Sequence, residues 1–114
     1  MKDPSIFLEH ILENINDIEN FMRNVKKEDF IKNKEKQKAV IKSIEIIGEA
    51  SKNLPQSFKE KNKGIPWKEI IGTRDKMSHH YFGVDLDLIW GVIKEKLPQL
   101  KREIKKIRDN LIKS

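Results

Sequence analysis

Arg74, His79, His80 and Tyr81 fall within one eight-residue stretch, Arg74-Asp75-Lys76-Met77-Ser78-His79-His80-Tyr81, of a chain that holds three histidines and one tyrosine in all. Arginine offers a planar, permanently charged fork that fits phosphate oxygens, and histidine takes and gives protons near neutral pH. Together they can cleave a phosphodiester without a metal. The reaction indicated is RNA cleavage through the substrate's own 2′-hydroxyl, the group that separates RNA from DNA. In it His79 would act as general base or acid, Arg74 would bind the scissile phosphate and stabilise the extra charge of the transition state, and Asp75 would orient the His79 ring. His80 points elsewhere and has two readings, a phosphate contact or a bystander. Tyr81 offers a hydroxyl beside the cleft.

A helix turns about 100° per residue. Arg74 and Tyr81, seven positions apart, therefore nearly superimpose on one face, and Asp75 can touch His79, four positions on. Arg74 and His79 are five apart, about 140° around the axis. Their joint action needs long side chains reaching round, an irregular helix end near Gly83, or a second copy of the same stretch brought close by a two-fold axis. The last option predicts a homodimer with a shared basic cleft. Adjacent His79 and His80 project in different directions on a helix, and no carboxylate–histidine spacing typical of zinc or iron helices is present, so neither a metal nor a cofactor is expected.

The elements that must position this stretch are helical. Charged residues make up 37% of the 114, Lys, Glu, Ile and Leu dominate, and glycine and proline are sparse, a composition that suits helices. The length predicts a single domain over 1–114. Without cysteine there is no disulfide or thiolate site, which fits a reducing cytoplasm. No apolar run approaches the roughly 20 residues that span a bilayer. With Asp3 and Glu9 among the early residues, the N-terminus does not read as a signal peptide. The net charge of +6 is uneven: residues 1–25 hold two basic and five acidic side chains, residues 91–114 eight and three. Such a basic end either attracts a polyanion such as RNA or simply solvates a helix face.

Asp3-Pro4 reads as an N-cap and first helical residue, followed by a bundle stripe of Leu8, Ile11, Ile15, Ile18, Met22 and Val25. His10 lies off that stripe, at the surface. A second helix is expected over Asp29–Leu54, with a broad apolar surface of Val40, Ile41, Ile44, Ile46, Ile47 and Ala50 that suggests contact on two sides. Gly48, costly in mid-helix by about 1 kcal/mol, implies close packing. Glu49 beside it either faces a basic group or is solvated. A short helical turn and loop follow, then a helix opened by Ile65-Pro66-Trp67. Gly83 is a natural stop and Asp85 an N-cap, Leu97-Pro98 ends one helix and starts the last, and Leu100, Ile104, Ile107 and Leu111 repeat at bundle spacing. The fold predicted is an all-α, up-and-down helical bundle of four to five main helices.

The order Arg, four residues, His, one residue, Tyr, met by Arg74, His79 and Tyr81, resembles the signature of the HepT-like branch of the HEPN superfamily. Further similar stretches are Ile47-Gly48-Glu49-Ala50, Pro66-Trp67 with Ile70-Ile71-Gly72, Tyr81-Phe82-Gly83-Val84-Asp85, and Trp90 with Leu97-Pro98, so the resemblance covers nearly the whole chain. It implies a homodimeric HEPN-like bundle acting as a metal-independent endoribonuclease toxin of a toxin–antitoxin pair. The implied antitoxin is a minimal nucleotidyltransferase that silences the toxin by transferring AMP from ATP onto the motif tyrosine, Tyr81 in this sequence. A bulky anion beside Arg74 would occupy the phosphate site and repel RNA. Asp75 departs from the family's pattern, where many relatives have asparagine; a carboxylate raises the basicity of His79 and partly neutralises Arg74. Two rival readings are a non-catalytic HEPN module that docks a nucleotidyltransferase and presents substrate to it, and a general basic nucleic-acid binder, disfavoured because few aromatics are available to stack on bases.

Overall fold

A computed structural model of the chain describes residues 3–79 and 85–113, with the backbone path alone for 74–79 and 112–113. Its helices are α1 (Pro4–Phe21), α2 (Lys27–Lys32), α3 (Lys34–Asn53), α4 (Gln56–Lys61), α5 (Trp67–His79), α6 (Leu86–Gly91) and α7 (Leu97–Lys113), with a π-helical turn over Val92–Lys96 joining the last two. Among the described residues there is no strand, and the architecture is the all-α bundle that the sequence predicts. Among them, too, no helix is long and apolar enough to cross a membrane.

α1 begins where its signals place it. The Asp3 carboxylate accepts the Ser5 N–H at 3.0 Å, and this bond, helped by the Ser5 hydroxyl, holds the Asp3 carboxyl below its usual range. The capping contribution is therefore present at neutral pH and fades as pH falls through that lowered value. Leu8, Ile11, Ile15 and Ile18 are at most 1% exposed. The helix ends at Phe21, and Asn24, at φ 60°, adopts the left-handed turn that asparagine tolerates. Val25 thus lies past the helix, half-buried against the core.

The expected Asp29–Leu54 helix is two helices, broken at Asn33. This residue is extended, at φ −107° and ψ 93°. Its side chain accepts the Lys36 N–H at 3.0 Å, while Gln37 Nε2 donates to the Phe30 and Ile31 carbonyls, both at 2.9 Å. The break lets α2 turn Phe30 into the core, fully buried and 6.0 Å from the Trp90 ring. Burying such a side chain stabilises by about 1.5–3 kcal/mol, more than a continuous, solvated lysine-rich helix offers.

α3 packs against both α1 and α5, and α7 lies along α1. Of the broad α3 apolar surface, Val40, Ile44, Ile47 and Ala50 are buried, as is Gly48, while Ile41 and Ile46 are half-buried. Ser51 is fully buried too, its hydroxyl donating to the Ile47 carbonyl at 2.8 Å.

The last helix starts at Leu97-Pro98, as the sequence predicts, but no loop separates it from α6. The Leu97 N–H bonds to the Val92 carbonyl five residues back, and this widened turn carries the chain from α6 into α7 without a break. A proline inside a helix has no N–H to donate, and its ring presses on the carbonyl four residues earlier. Opening one turn to π geometry relieves that crowding. Leu97, Leu100 and Ile104 continue the buried face, whereas Leu111, expected inside, is 41% exposed.

Candidate active site

α5 carries Arg74, Asp75 and His79 on its C-terminal half, so the three belong to one helix whose backbone is described through His79. Arg74 and His79 are separated by about 7.5 Å along the axis at the ordinary helical rise. His80, Tyr81 and Gly83 lie outside the described residues, as do the side chains of Arg74, Asp75 and His79. The geometry of the site is therefore that of the helix and its supports.

Those supports are concentrated at the first turns. Ile65 is 2% exposed and Trp67 7%. The Trp67 indole N–H donates to the Asn62 carbonyl at 3.0 Å, and its ring meets Phe58 with centroids 6.4 Å apart. Ile70 is half-buried against the core. Thr73, immediately before Arg74, donates its hydroxyl to the Glu69 carbonyl at 2.8 Å, the usual way a β-hydroxyl is satisfied inside a helix. Across from this turn, Lys96 Nζ stands 3.5 Å from Glu69 Oε2.

On the far side of the motif, Asp85 acts as the N-cap that the sequence predicts, accepting the Asp87 and Leu88 N–H groups at 3.0 and 3.2 Å. Asp87 pairs with Lys27 Nζ at 2.8 Å, which ties the start of α6 to α2. Both ends of the segment bearing the motif are thereby fixed to the bundle. Glu49 is exposed on α3 and accepts from Asn53 Nδ2 at 3.4 Å.

Beside the N-terminal half of α5 runs a groove of about 780 Å³. Ile70, Val92 and Leu100 form part of its apolar floor, and Lys68, Glu69, Lys96 and Glu103 stand among its polar lining. Leu88, on its wall, is 46% exposed. Sequence reasoning missed this groove. Its lining comes from α3, α5, α6 and α7, and no spacing along the chain announces such a meeting. The single available hint is the apolar Leu88, which lies off the inward face that Leu86, Ile89 and Trp90 give α6. Among the described residues no group of three or more His, Asp or Glu is placed to hold a metal ion.

Comparison with known proteins yields a consistent set of relatives. The family model described as "Ribonuclease HepT-like" matches residues 11–107. A gamma-glutamylcyclotransferase with a provisional RNase name, from Methanocaldococcus jannaschii, is 51% identical over 113 residues; the match takes in 99% of this chain and 51% of that protein, so the chain spans about half its length. A protein of Caldanaerobacter subterraneus subsp. tengcongensis, also with a provisional RNase name, is 45% identical over 94% of this chain and 96% of its own length. The "Probable ribonuclease HepT" of Thermococcus cleftensis is 49% identical over 90% of this chain and 93% of its own. No solved structure matches the chain. With an all-α bundle in place and the family model matched from residue 11 to residue 107, the chain belongs to the HepT-like ribonuclease family of the HEPN superfamily.

Proposed function

We propose that this chain is a metal-independent endoribonuclease, the toxin of a cytoplasmic toxin–antitoxin pair, that works as a homodimer. A cognate minimal nucleotidyltransferase would silence it by moving AMP from ATP onto Tyr81. The observation that carries this reading is the family match over residues 11–107 combined with Arg74, His79 and Tyr81 at the family's spacing. The relatives named as ribonucleases support it.

In the proposed reaction the 2′-oxygen attacks the adjacent phosphorus while the P–O5′ bond breaks. His79 takes the 2′-hydroxyl proton as base or delivers a proton to the leaving O5′ as acid, and Asp75 steadies its ring. Arg74 binds the phosphate and offsets charge that builds on its oxygens. The products are a 2′,3′-cyclic phosphate and a 5′-hydroxyl. The apolar groove along α5, with exposed Leu88 on its wall, offers a second copy a seat next to the helix that bears the motif. AMP on Tyr81 would put a phosphate near Arg74, where it competes with RNA for the guanidinium.

The test is cleavage of RNA in EDTA by purified protein. His79→Ala should slow it by about 10²–10⁴-fold, and Arg74→Ala by about 10²–10³-fold, with unchanged circular dichroism. Cleavage that survives both changes, or that demands a divalent metal, overturns the nuclease assignment. Intact mass after incubation with the nucleotidyltransferase and ATP should show AMP on the wild type and none on Tyr81→Phe. Protein that binds this partner yet leaves RNA uncut is the non-catalytic module instead.

A further inference from the structure

α7 presents different surfaces on its two flanks. Gln99, Leu100 and Glu103 border the groove beside α5. Lys101, Arg102 and Lys105 border a second hollow, of about 310 Å³, between α1 and α7. Aliphatic side chains, among them Ile15, Ile18 and Ile93, line this hollow beneath the cations.

The cations of α7 are not equivalent. Lys101 Nζ is 2.7 Å from Glu19 Oε1, Lys106 Nζ is 3.7 Å from Glu103, and Arg108 is 3.5 Å from Glu9. Arg102 and Lys105 are exposed, and among the described residues neither has a hydrogen-bond or ion-pair partner. Lys101 neutralises Glu19, the only acid lining the hollow among the described residues, so two uncompensated positive charges remain over an apolar floor. At positions i and i+3 they are neighbours, with Cβ atoms about 5–6 Å apart.

We propose that this hollow is an RNA-backbone contact on the flank of α7 turned away from the groove. Arg102 and Lys105 would grip phosphates of a strand whose nucleoside rests on the aliphatic floor. The proposal builds on the nuclease reading and adds where RNA beyond the scissile bond is held. Two observations favour a nucleic acid over an acidic protein helix. The volume is at the small end for ligand pockets, suited to a nucleotide rather than to a helix laid along α7, and cations succeeding one another along a helix match a linear row of phosphates. Contacts of this kind set affinity and register without reading bases.

The experiment is fluorescence anisotropy of labelled single-stranded oligouridylate across a salt series, with wild type and the double variant Arg102→Gln/Lys105→Gln. Affinity at low salt should fall at least about tenfold, and the slope of log K against log salt should become shallower by about 1.4, for two phosphates at about 0.7 each. The charge-preserving pair Arg102→Lys/Lys105→Arg should restore both. Wild-type binding that the double variant leaves unchanged overturns this proposal while the nuclease reading stands. Cleavage lost on Arg74→Ala alongside unaltered binding by the double variant overturns it in the same way. A wild type that neither binds nor cuts RNA overturns both. Unchanged RNA affinity with lost binding of the purified nucleotidyltransferase would assign the hollow to a protein and also overturn the proposal.

Discussion

α1 and α5 are built on opposite principles. α1 devotes its 18 residues to burial, with Leu8, Ile11, Leu12, Ile15 and Ile18 all inside. α5 has 13 residues; Trp67 is buried and Ile70 half-buried, and from Thr73 to His79 the sequence offers Met77 as its only apolar side chain. The second half of this helix has little apolar surface to bury. It is therefore held by its opening turns, by α3 alongside, and by the anchored start of α6. The helix that bears the proposed motif is thus supported chiefly by its neighbours.

This contrast makes graded predictions. The largest effect belongs to the bundle: Phe30→Ala should cost about 3–5 kcal/mol, because it empties a fully buried site beside Trp90. Urea unfolding followed by circular dichroism measures it, and a loss under about 1 kcal/mol would mean that α2 is not part of the bundle's support. Next comes the anchor of α5. Trp67→Phe keeps the ring contact with Phe58 but strips the Asn62 carbonyl of its donor, which should cost about 1 kcal/mol, or roughly 4 °C in midpoint. If RNA cleavage drops far more than that loss of stability explains, the first turn of α5 governs the aim of the motif as well as its order. The smallest effect is expected for Lys96→Ala, since the Lys96 and Glu69 side chains are 61% and 68% exposed. It should change stability by less than about 1 kcal/mol, and less still at high salt; a larger, salt-resistant loss would show that α6 and α7 hold α5 through this pair.

Much of this organisation is legible in the residues themselves. Asp3 and Asp85 announce helix starts because a short carboxylate satisfies N–H groups that the helix cannot, and both caps form. The stripe of α1 marks a buried face in advance. Asn33 is harder to read, because Lys and Glu on either side favour a continuous helix; what breaks it is a tertiary demand, the burial of Phe30. Pro98 marks the first turn of α7 correctly but gives no sign that the junction ahead of it is a π-helical turn and not a loop. Arg74, Asp75 and His79 lie on one helix, and they stand out in the sequence by residue type, because an arginine and a histidine close together are visible without any tertiary contact. The Glu69–Lys96 pair, 27 positions apart, and the hollow under Arg102 exist only once the helices have met.

The junction between α6 and α7 stores one residue of slack. Dropping a residue from the middle of α3 would carry every later side chain about 100° round the axis and take its stripe off α1. Dropping one from Val92–Lys96 would let that turn close to ordinary pitch with the faces on both sides still aligned. Pro98 keeps the slack from being taken up, because its ring would then collide with the preceding turn. The widened turn and the proline are thus a matched pair: losing one residue from Val92–Lys96 is tolerated only where Pro98 is replaced as well.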